Sequence, residues 1–560
     1  MTECGITYFC KRPSHMTNPQ GNPKNWTGII GYILVSTPIL VYWLYWTFNP
    51  SYWFNGDPAA FYFLDSLSVF AGGTYVYVDH PGTPMQVMGT IMLALTYPFL
   101  GGKESFINFY ITQPEAFFLM AHIFLLAMNI LTAVILYKTA YSTLSHDRIF
   151  GAIALAVLFF TLHPYSFQSL TLWSHNSLNF PFGTLLLLWL YRELRKEGEI
   201  RKNRLVLLGF AAGLLAVAQV YFFVWVATCI FTIFVYTLRS NHTLKQAIFS
   251  GLFTLFGSLL GITSMLLPIY KEIPRFLNWF TSVVATEGIY GTGKRGFFSL
   301  TMISTALDYW WTSLRSIMLV LLLTLIALGI LAWLKRKSSA RISPSTYAML
   351  AGLTLHTGLI LLMLVKTVGK LRYSLSLAAT LPILILLVLK LSETTFWGRL
   401  KLSRTVYAAI IIGVTLALSQ QIDNQQKRAF EESDAVIAKS QALTRLAREL
   451  GVPKKDVVVV YAYGVPIQCS GMLEVMNWTG AFVEEITTMC PNQHAIFDTV
   501  IVLNTAVPLV NITDIDWDMV VWPGNGSNLP EYLESVGAIN IPKNWHVRRS
   551  RWFFVHGPVQ

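Results

Sequence analysis

The sequence has few charged residues for its length. Asp, Glu, Lys and Arg make up 12% of its 560 residues, and hydrophobic residues make up 54%. About a quarter of an average soluble domain is charged. A single water-soluble core could not bury so many apolar residues, which excludes a soluble globular protein. The chain also lacks the HExxH, paired-cysteine and Gly-x-Ser-x-Gly patterns, so zinc hydrolase and serine hydrolase chemistry have no support.

The net charge of +12 does not indicate nucleic-acid binding, because the basic residues form short clusters between apolar runs. Arg192 to Arg204 and Lys335 to Arg341 are two such clusters. This pattern is typical of loops at an anionic cytoplasmic membrane surface. The sequence therefore predicts a polytopic α-helical membrane protein that contacts the lipid bilayer and has no nucleic-acid partner.

Since about 20 helical residues cross a bilayer core of roughly 30 Å, the apolar runs predict about eleven transmembrane helices. The predicted spans are 27–48, 115–137, 149–163, 178–192, 205–220, 222–238, 246–268, 314–334, 346–366, 374–390 and 405–420. With a cytoplasmic N-terminus, every loop on that side is basic. The run 84–102 contains Pro84 and Pro98 and is predicted to lie along or dip into the membrane, because a full crossing would place the Arg192 cluster outside.

This topology predicts three regions. They are a cytoplasmic N-terminal segment without a cleavable signal pattern (1–26), a membrane module with outer loops 49–114 and 269–313 (27–420), and a small extracytoplasmic α/β domain (421–560). The last region is predicted to contain an amphipathic helix at 429–450 and strands at 457–460, 499–502, 519–522 and 552–555. The host membrane is predicted to be an inner or plasma membrane, or the ER membrane in a eukaryote.

Cys469 and Cys490 are the two cysteines of the predicted outer domain. Because a disulfide persists outside the reducing cytoplasm, the sequence predicts that they form one. Two buried thiols are the alternative.

The first outer loop concentrates polar residues beside the membrane. Asp57 precedes Pro58, and Asp79 and His80 precede Pro81-Gly82. Asp57 and Asp79 flank a segment of helical character, so we expect both to lie near one cavity, where a carboxylate can act as a general base. Two alternatives remain open: Asp57 caps the following helix, and the residues from Asp79 form an ordinary turn.

A second motif places cations on the predicted outer side, against the usual sidedness. Lys366, Lys370 and Arg372 lie in a turn between two apolar helices and are followed by Tyr373. An anionic ligand such as a membrane-surface phosphate explains them, because Arg binds it as a fork and Lys as a point charge. Alternatively, these side chains reach lipid headgroups, or the local topology is reversed.

Two further segments are candidates for binding a ligand. The glycine-rich stretch 286–296 contains Glu287, Lys294 and Arg295 and is either a flap that closes over an anionic or sugar ligand or only a flexible loop. His175, in the outer turn 163–177, either lines a sugar pocket or has a structural role.

Together these motifs resemble the GT-C glycosyltransferases, and most closely the protein O-mannosyltransferase and lipid A aminoarabinose transferase branch. The resemblance rests on the overall layout and on Asp57–Pro84 and Lys366–Tyr373. It implies inverting transfer of one sugar from a polyprenyl-phosphate donor to a hydroxyl-bearing glycan, lipid or protein in cell-envelope assembly or glycosylation.

The resemblance also implies roles for individual residues. Asp57 matches the base, Asp79 and His80 match an element near the donor, and Lys370, Arg372 and Tyr373 match a turn near its phosphate. The chain has Asp57-Pro58 where the family often has two acidic residues, and Pro81-Gly82 where it often has Pro-Pro. The sugar, and a possible divalent cation, therefore stay open.

A polytopic transporter and a non-catalytic subunit of a cell-envelope assembly complex are the alternatives. A transporter predicts ionisable residues within its spans. Asp and Glu are nearly absent from the predicted spans here and gather in the outer regions, which favours the transferase.

Overall fold

The computed structural model describes most of the chain up to residue 393 and short segments after it. The described ranges are 26–47, 56–78, 82–145, 148–163, 165–166, 168–196, 198–285, 300–336, 342–366, 371–393, 458–462, 472, 482–489, 493–496, 520–522, 545–549 and 554–558. Helices dominate the first part, and a small sheet is found in the last.

The α-helices of the described residues up to 393 follow one another with short connections. They are α1 (Trp26–Thr47), α2 (Phe61–Ala71), α3 (Thr83–Thr96), α4 (Lys103–Thr112), α5 (Pro114–Thr143), α6 (Arg148–Thr161), α7 (His175–Leu194), α8 (Lys202–Ala218), α9 (Phe223–Arg239), α10 (Leu244–Leu266), α11 (Ile273–Ala285), α12 (Leu300–Ser313), α13 (Arg315–Arg336), α14 (Pro344–Lys366) and α15 (Leu375–Glu393).

The helices confirm the predicted polytopic membrane class. Ten of the eleven predicted spans coincide with α1, α5 to α10 and α13 to α15, and the remaining one, 405–420, lies outside the described residues. By length and composition, five described helical stretches can cross a membrane, or six if the pair α12–α13, bent by 100°, counts as one. The chain is an integral membrane protein, and its orientation in the membrane stays a prediction.

Helices α8 and α10 pack with their backbones in close contact. Gly209 and Gly213 of α8, and Gly257 and Gly261 of α10, are each four residues apart, and a Cβ atom at any of them would overlap a backbone carbonyl of the other helix. Small residues at this spacing allow membrane helices to approach closely. The opposite face of α10 exposes large apolar side chains, at Phe249, Leu252, Phe256 and Leu259. These side chains are suited to lipid.

The predicted outer loop 49–114 is largely helical in its described part. A π-helical turn, Gly56–Ala60, leads into α2, so the expected helix between Asp57 and Asp79 is confirmed. Helix α3 has 14 residues, or about 21 Å at 1.5 Å per residue. That length is shorter than a bilayer core of roughly 30 Å, and the orientation of 84–102 relative to the membrane stays a prediction. Helix α4 was not predicted.

The predicted outer loop 269–313 contains α11 and α12 rather than loop structure alone. In α11 the aromatic residues Phe276, Trp279 and Phe280 are three or four positions apart and belong to one apolar cluster with Tyr75 and Val78. This spacing is that of one helix face. The segment is therefore an amphipathic helix packed on the first outer loop.

The C-terminal part forms a five-stranded mixed sheet of β1 (Val458–Ala462), β2 (Gln493–Ile496), β3 (Val520–Trp522), β4 (Trp545–Arg549) and β5 (Phe554–Pro558). The strand order is β2-β1-β3-β5-β4, with β1 parallel to β2 and β3, and β5 antiparallel to β3 and β4. Strands β1, β3 and β5 coincide with three predicted strands. The predicted strand 499–502, the helix 429–450, Cys469 and Cys490 lie outside the described residues.

Helix α16 (Val483–Met489) connects this region to the membrane module. Phe482 and Ile486 are buried in the same apolar cluster as Phe106 and Tyr110 of α4. Burial of aromatic and aliphatic side chains is the main favourable term in such a contact. The helix between β1 and β2 therefore packs on the first outer loop, as expected if both lie on one side of the membrane.

Candidate functional site

A buried carboxylate organises the first outer loop. One oxygen of Asp65 on α2, Oδ2, accepts hydrogen bonds from the backbone N–H groups of Val76 (3.1 Å) and Tyr77 (2.8 Å) and from Nε2 of Gln86 (2.8 Å). The same Gln86 nitrogen donates to the Tyr77 carbonyl at 2.8 Å. Because α2, the following chain and α3 all bond to one carboxylate, they form a single unit.

The environment of Asp65 is unusual for an ionisable group. The side chain is 1% exposed, and its second oxygen, Oδ1, has no hydrogen-bond partner among the described residues. Burial raises the pKa of Asp65 to about 7, and the hydrogen bonds from Tyr77 and Val76 and the charge of Arg275 act in the opposite direction. Desolvation of the charged form is therefore the dominant effect.

We expect Asp65→Leu to destabilise the protein by several kcal/mol, whereas Asp65→Asn has a small effect. Leucine leaves the N–H groups of Val76 and Tyr77 without their acceptor and removes one of the two acceptors of the Gln86 amide, and each unsatisfied buried group costs about 1–3 kcal/mol. Asparagine keeps one carbonyl oxygen at nearly the same place. The midpoint of thermal unfolding in detergent measures both variants. Equal midpoints for the two variants would contradict the assigned role of the carboxylate.

The backbone of Gly82, the last residue of the predicted Asp79-to-Gly82 turn, is held in a conformation that suits glycine. Gly82 has a φ of +50°, a conformation that favours glycine, and a Cβ atom there would overlap the ring of Tyr62. The Tyr62 hydroxyl lies 2.8 Å from Nδ1 of His175. Gly82, which ends the predicted Asp79-to-Gly82 turn, and His175 therefore meet at the same tyrosine.

The break between α8 and α9 joins this loop to the late motif. The Gly82 N–H donates to the carbonyl of Ala218, the last residue of α8, at 3.3 Å. Three residues later, the ring of Tyr221 packs against Tyr373, with 4.9 Å between ring centroids. The predicted turn near Tyr373 and the predicted loop at Gly82 thus contact the same short segment.

Gln219 occupies this segment and was not predicted. Its side chain is fully buried, and neither its amide nitrogen nor its amide oxygen has a hydrogen-bond partner among the described residues. An unsatisfied buried amide is costly unless a ligand or water completes it. Its position between Ala218 and Tyr221 makes it a candidate to contact a ligand.

The turn before α7 also reaches the late motif. Nε2 of His163 lies 2.6 Å from the hydroxyl of Ser374, and Nδ1 accepts a hydrogen bond from the Tyr165 N–H at 2.9 Å. The predicted outer regions 49–114 and 163–177 and the end of the predicted turn 366–373 are therefore connected by direct contacts at one end of the bundle.

The predicted site residues differ in how far the structure describes them. His175 and Tyr373 are buried in the region just described, and Lys366 is 9% exposed at the last turn of α14. The backbones of Asp57 and Arg372 lie in the helical turns Gly56–Ala60 and Leu371–Ser374. The structure does not describe the side chains of Asp57 and Arg372. It also does not describe six further predicted residues: Asp79, His80, Lys370, Glu287, Lys294 and Arg295.

Several residues of this region were not among the predicted site residues. Asp65 has a recognisable signal, since it is an acidic residue inside the apolar helix α2. The pairing of Tyr62 with His175, and of Gly82 with Ala218, depends on contacts between distant segments and has no local signal. Among the described residues, no group of three or more His, Cys, Asp or Glu side chains is placed to hold a metal ion.

Comparisons with known proteins add a structural likeness. No family model matches the sequence, and no curated protein matches it. The chain is similar to the crystal structure of ArnT from Cupriavidus metallidurans bound to undecaprenyl phosphate, with 12% sequence identity and a TM-score of 0.47. The similarity covers 95% of this chain and 98% of that chain. A likeness of this size assigns no activity to the chain.

Proposed function

We propose that the protein is an inverting membrane glycosyltransferase of the GT-C type, which moves a sugar from a polyprenyl-phosphate donor to a hydroxyl acceptor on the extracytoplasmic side. The observation that carries the proposal is the meeting of early, middle and late outer segments through the contacts of Gly82 with Ala218, Tyr221 with Tyr373 and His163 with Ser374. In the proposed transfer, an acidic side chain of the first outer loop and the cations of the late turn act at one site.

In the proposed reaction, Asp57 acts as general base. The acceptor oxygen attacks the anomeric carbon of the sugar while its proton passes to the Asp57 carboxylate. The bond between that carbon and the phosphate oxygen breaks, and its electron pair leaves with the lipid phosphate. A phosphate leaves without being protonated, so one base suffices, and a single displacement inverts the anomeric centre.

The cations of the late turn stabilise the leaving group in this proposal. Negative charge grows on the phosphate as the bond breaks, and preplaced charges in a low-dielectric site stabilise it most. Lys366, Lys370 and Arg372 provide these charges beside Tyr373. The donor's polyprenyl chain stays in lipid, which accounts for catalysis by an integral membrane protein.

The packing around the site supports the proposed function because it holds the segments that carry the reacting groups in fixed positions. Asp65 and Gln86 tie α2 to α3, and Tyr62 links Gly82 with His175. Orientation of reacting groups contributes strongly to catalysis only when the supporting shell is rigid. These residues are positioning residues, and the chemistry belongs to Asp57 and the cations.

Donor consumption by the purified full chain in proteoliposomes tests the proposal. We expect at least one polyprenyl-phosphate sugar, from a panel of common hexoses, pentoses and amino sugars, to be converted to polyprenyl phosphate when a membrane extract supplies acceptors. Chromatography of the lipid product measures the conversion. A polyprenyl-diphosphate sugar serves as the control. If none of the panel is consumed beyond the rate in empty liposomes, the function is wrong.

A further inference from the structure

A long apolar groove opens on the side of the helix bundle. Its volume is about 1190 Å³, and its walls come from α3, α5, α7 and α8, with one residue of α10. Along α7 the wall extends from Leu178 to Arg195, or about 26 Å at 1.5 Å per residue. That length is close to the roughly 30 Å of a bilayer core. Because 178–192 is a predicted span, the groove runs along most of the predicted membrane depth.

The middle of the groove is suited to hydrocarbon. Phe182, Leu185 and Trp189 project into it from successive turns of α7, and Ala211 and Leu214 line the facing side on α8. All five residues are half-buried. A sugar or another polar ligand would find few hydrogen-bond partners on such walls, whereas acyl chains need none.

One end of the groove is strongly basic. Lys138 of α5 and Arg192, Arg195 and Lys196 at the end of α7 line it. Lys196 forms an ion pair with Glu193 at 2.7 Å, and Arg195 donates to Oγ1 of Thr143 at 2.9 Å.

The other two cations of this end remain available to a ligand. Lys138 and Arg192 are exposed and form no ion pair with any residue that the structure describes. An apolar channel that ends in available cations has the charge distribution complementary to an anionic amphiphile.

We propose that this groove binds an anionic glycerophospholipid, whose phosphate contacts Lys138 and Arg192 and whose acyl chains lie along Phe182, Leu185 and Trp189. The basic end is on the membrane face that the charge pattern predicts to be cytoplasmic. The headgroup is therefore at the opposite end of the bundle from Tyr373. This lipid is distinct from the proposed sugar donor, whose phosphate is used near that tyrosine.

The groove also reaches the helix that begins at the candidate site. Pro84, Val87, Met88 and Ile91 of α3 line it, and α3 starts directly after Gly82. A lipid in the groove fills the space behind α3 and supports the first outer loop from the membrane side. The bound lipid is thus a structural component of the protein and takes no part in sugar transfer.

Native mass spectrometry of the full chain in detergent, titrated with phosphatidylglycerol or phosphatidylcholine, tests the proposal. We expect tighter binding of phosphatidylglycerol. The double variant Lys138→Gln/Arg192→Gln should lose about 30-fold in affinity for it, because each cation near a membrane surface contributes roughly fivefold. The control Arg201→Gln/Lys245→Gln removes two exposed cations of the same predicted face that do not line the groove, and should bind as the parent does.

A second variant tests the acyl-chain part of the groove. Ala211→Trp fills the channel and should weaken both lipids, while leaving the basic end unchanged. Equal affinities for the two headgroups, or equal losses in the test and control double variants, would overturn the proposal. The proposal would also be overturned if polyprenyl phosphate displaced phosphatidylglycerol one for one and lost the same affinity in the Lys138→Gln/Arg192→Gln variant. Since no donor sugar or acceptor is present, failure of sugar transfer does not affect these results.

Discussion

Asp57→Asn is expected to lower the turnover rate of sugar transfer by about 10²- to 10⁴-fold, the usual contribution of a general base. The amide has nearly the size of the carboxylate but cannot accept the acceptor's proton. Binding of the donor should be retained, because the proposed contacts to its phosphate come from the late cations. Turnover of a polyprenyl-phosphate sugar and binding of a labelled donor to the same preparation measure the two effects.

The matched control for this variant is Glu104→Gln, which neutralises an exposed acidic residue in the first turn of α4. It changes the charge of the same outer region by the same amount and should leave turnover within about twofold, because exposed charges far from a reaction are screened by salt. Full activity of Asp57→Asn would remove the proposed base. It would favour the non-catalytic subunit, which does not need this carboxylate.

Arg372→Gln should lower turnover by about 10²- to 10³-fold, comparable with the loss of one preorganised donor to a developing negative charge. In the proposed site, the lost interaction is a charge-assisted, forked hydrogen bond to the departing phosphate. Arg372→Lys should recover part of the rate, because it restores the charge without the fork. Steady-state turnover over a range of donor concentrations measures kcat and KM separately.

Lys103→Gln is the control for this cation. Lys103 is an exposed residue of α4 whose Nζ donates to the carbonyl of Ala71 at 3.0 Å, and its loss should alter turnover little. If Arg372→Gln retains both turnover and donor affinity, the late turn faces lipid headgroups, as the alternative interpretation of this motif holds. The proposed phosphate site would then be wrong.

The helices could be predicted where they are long and uniformly apolar. Helices such as α5, α10 and α14 are longer than 20 residues and have high mean hydropathy, and their positions follow from length and hydropathy alone. Helices α4 and α11 escaped prediction because they are short and only one face is apolar. Strand β4 escaped for a related reason, since Trp545–Arg549 includes one histidine and two arginines.

The candidate site was predictable as a set of segments but not as a set of contacts. Sequence and sidedness selected Asp57, Asp79, His175 and Arg372, because the sequence predicts them at the ends of apolar helices on the outer side. They could not select Gln219, because its importance depends on where α8 ends relative to Gly82. Nor could they reveal that Oδ2 of the buried Asp65 accepts hydrogen bonds from three donors.

The end of α8 has a consequence for how the outer loop can move. The carbonyl of Ala218 belongs to the buried last turn of α8 and accepts a hydrogen bond from the amide of Gly82, so that loop residue completes the hydrogen bonding of a predicted transmembrane span. Swinging the loop away would strand a peptide oxygen in an apolar environment, where water is scarce. A movement that opens the site therefore costs less free energy if it leaves Gly82 in place. Insertions between Val78 and Gly82 are tolerated only if the Gly82 amide can still donate to the carbonyl of Ala218.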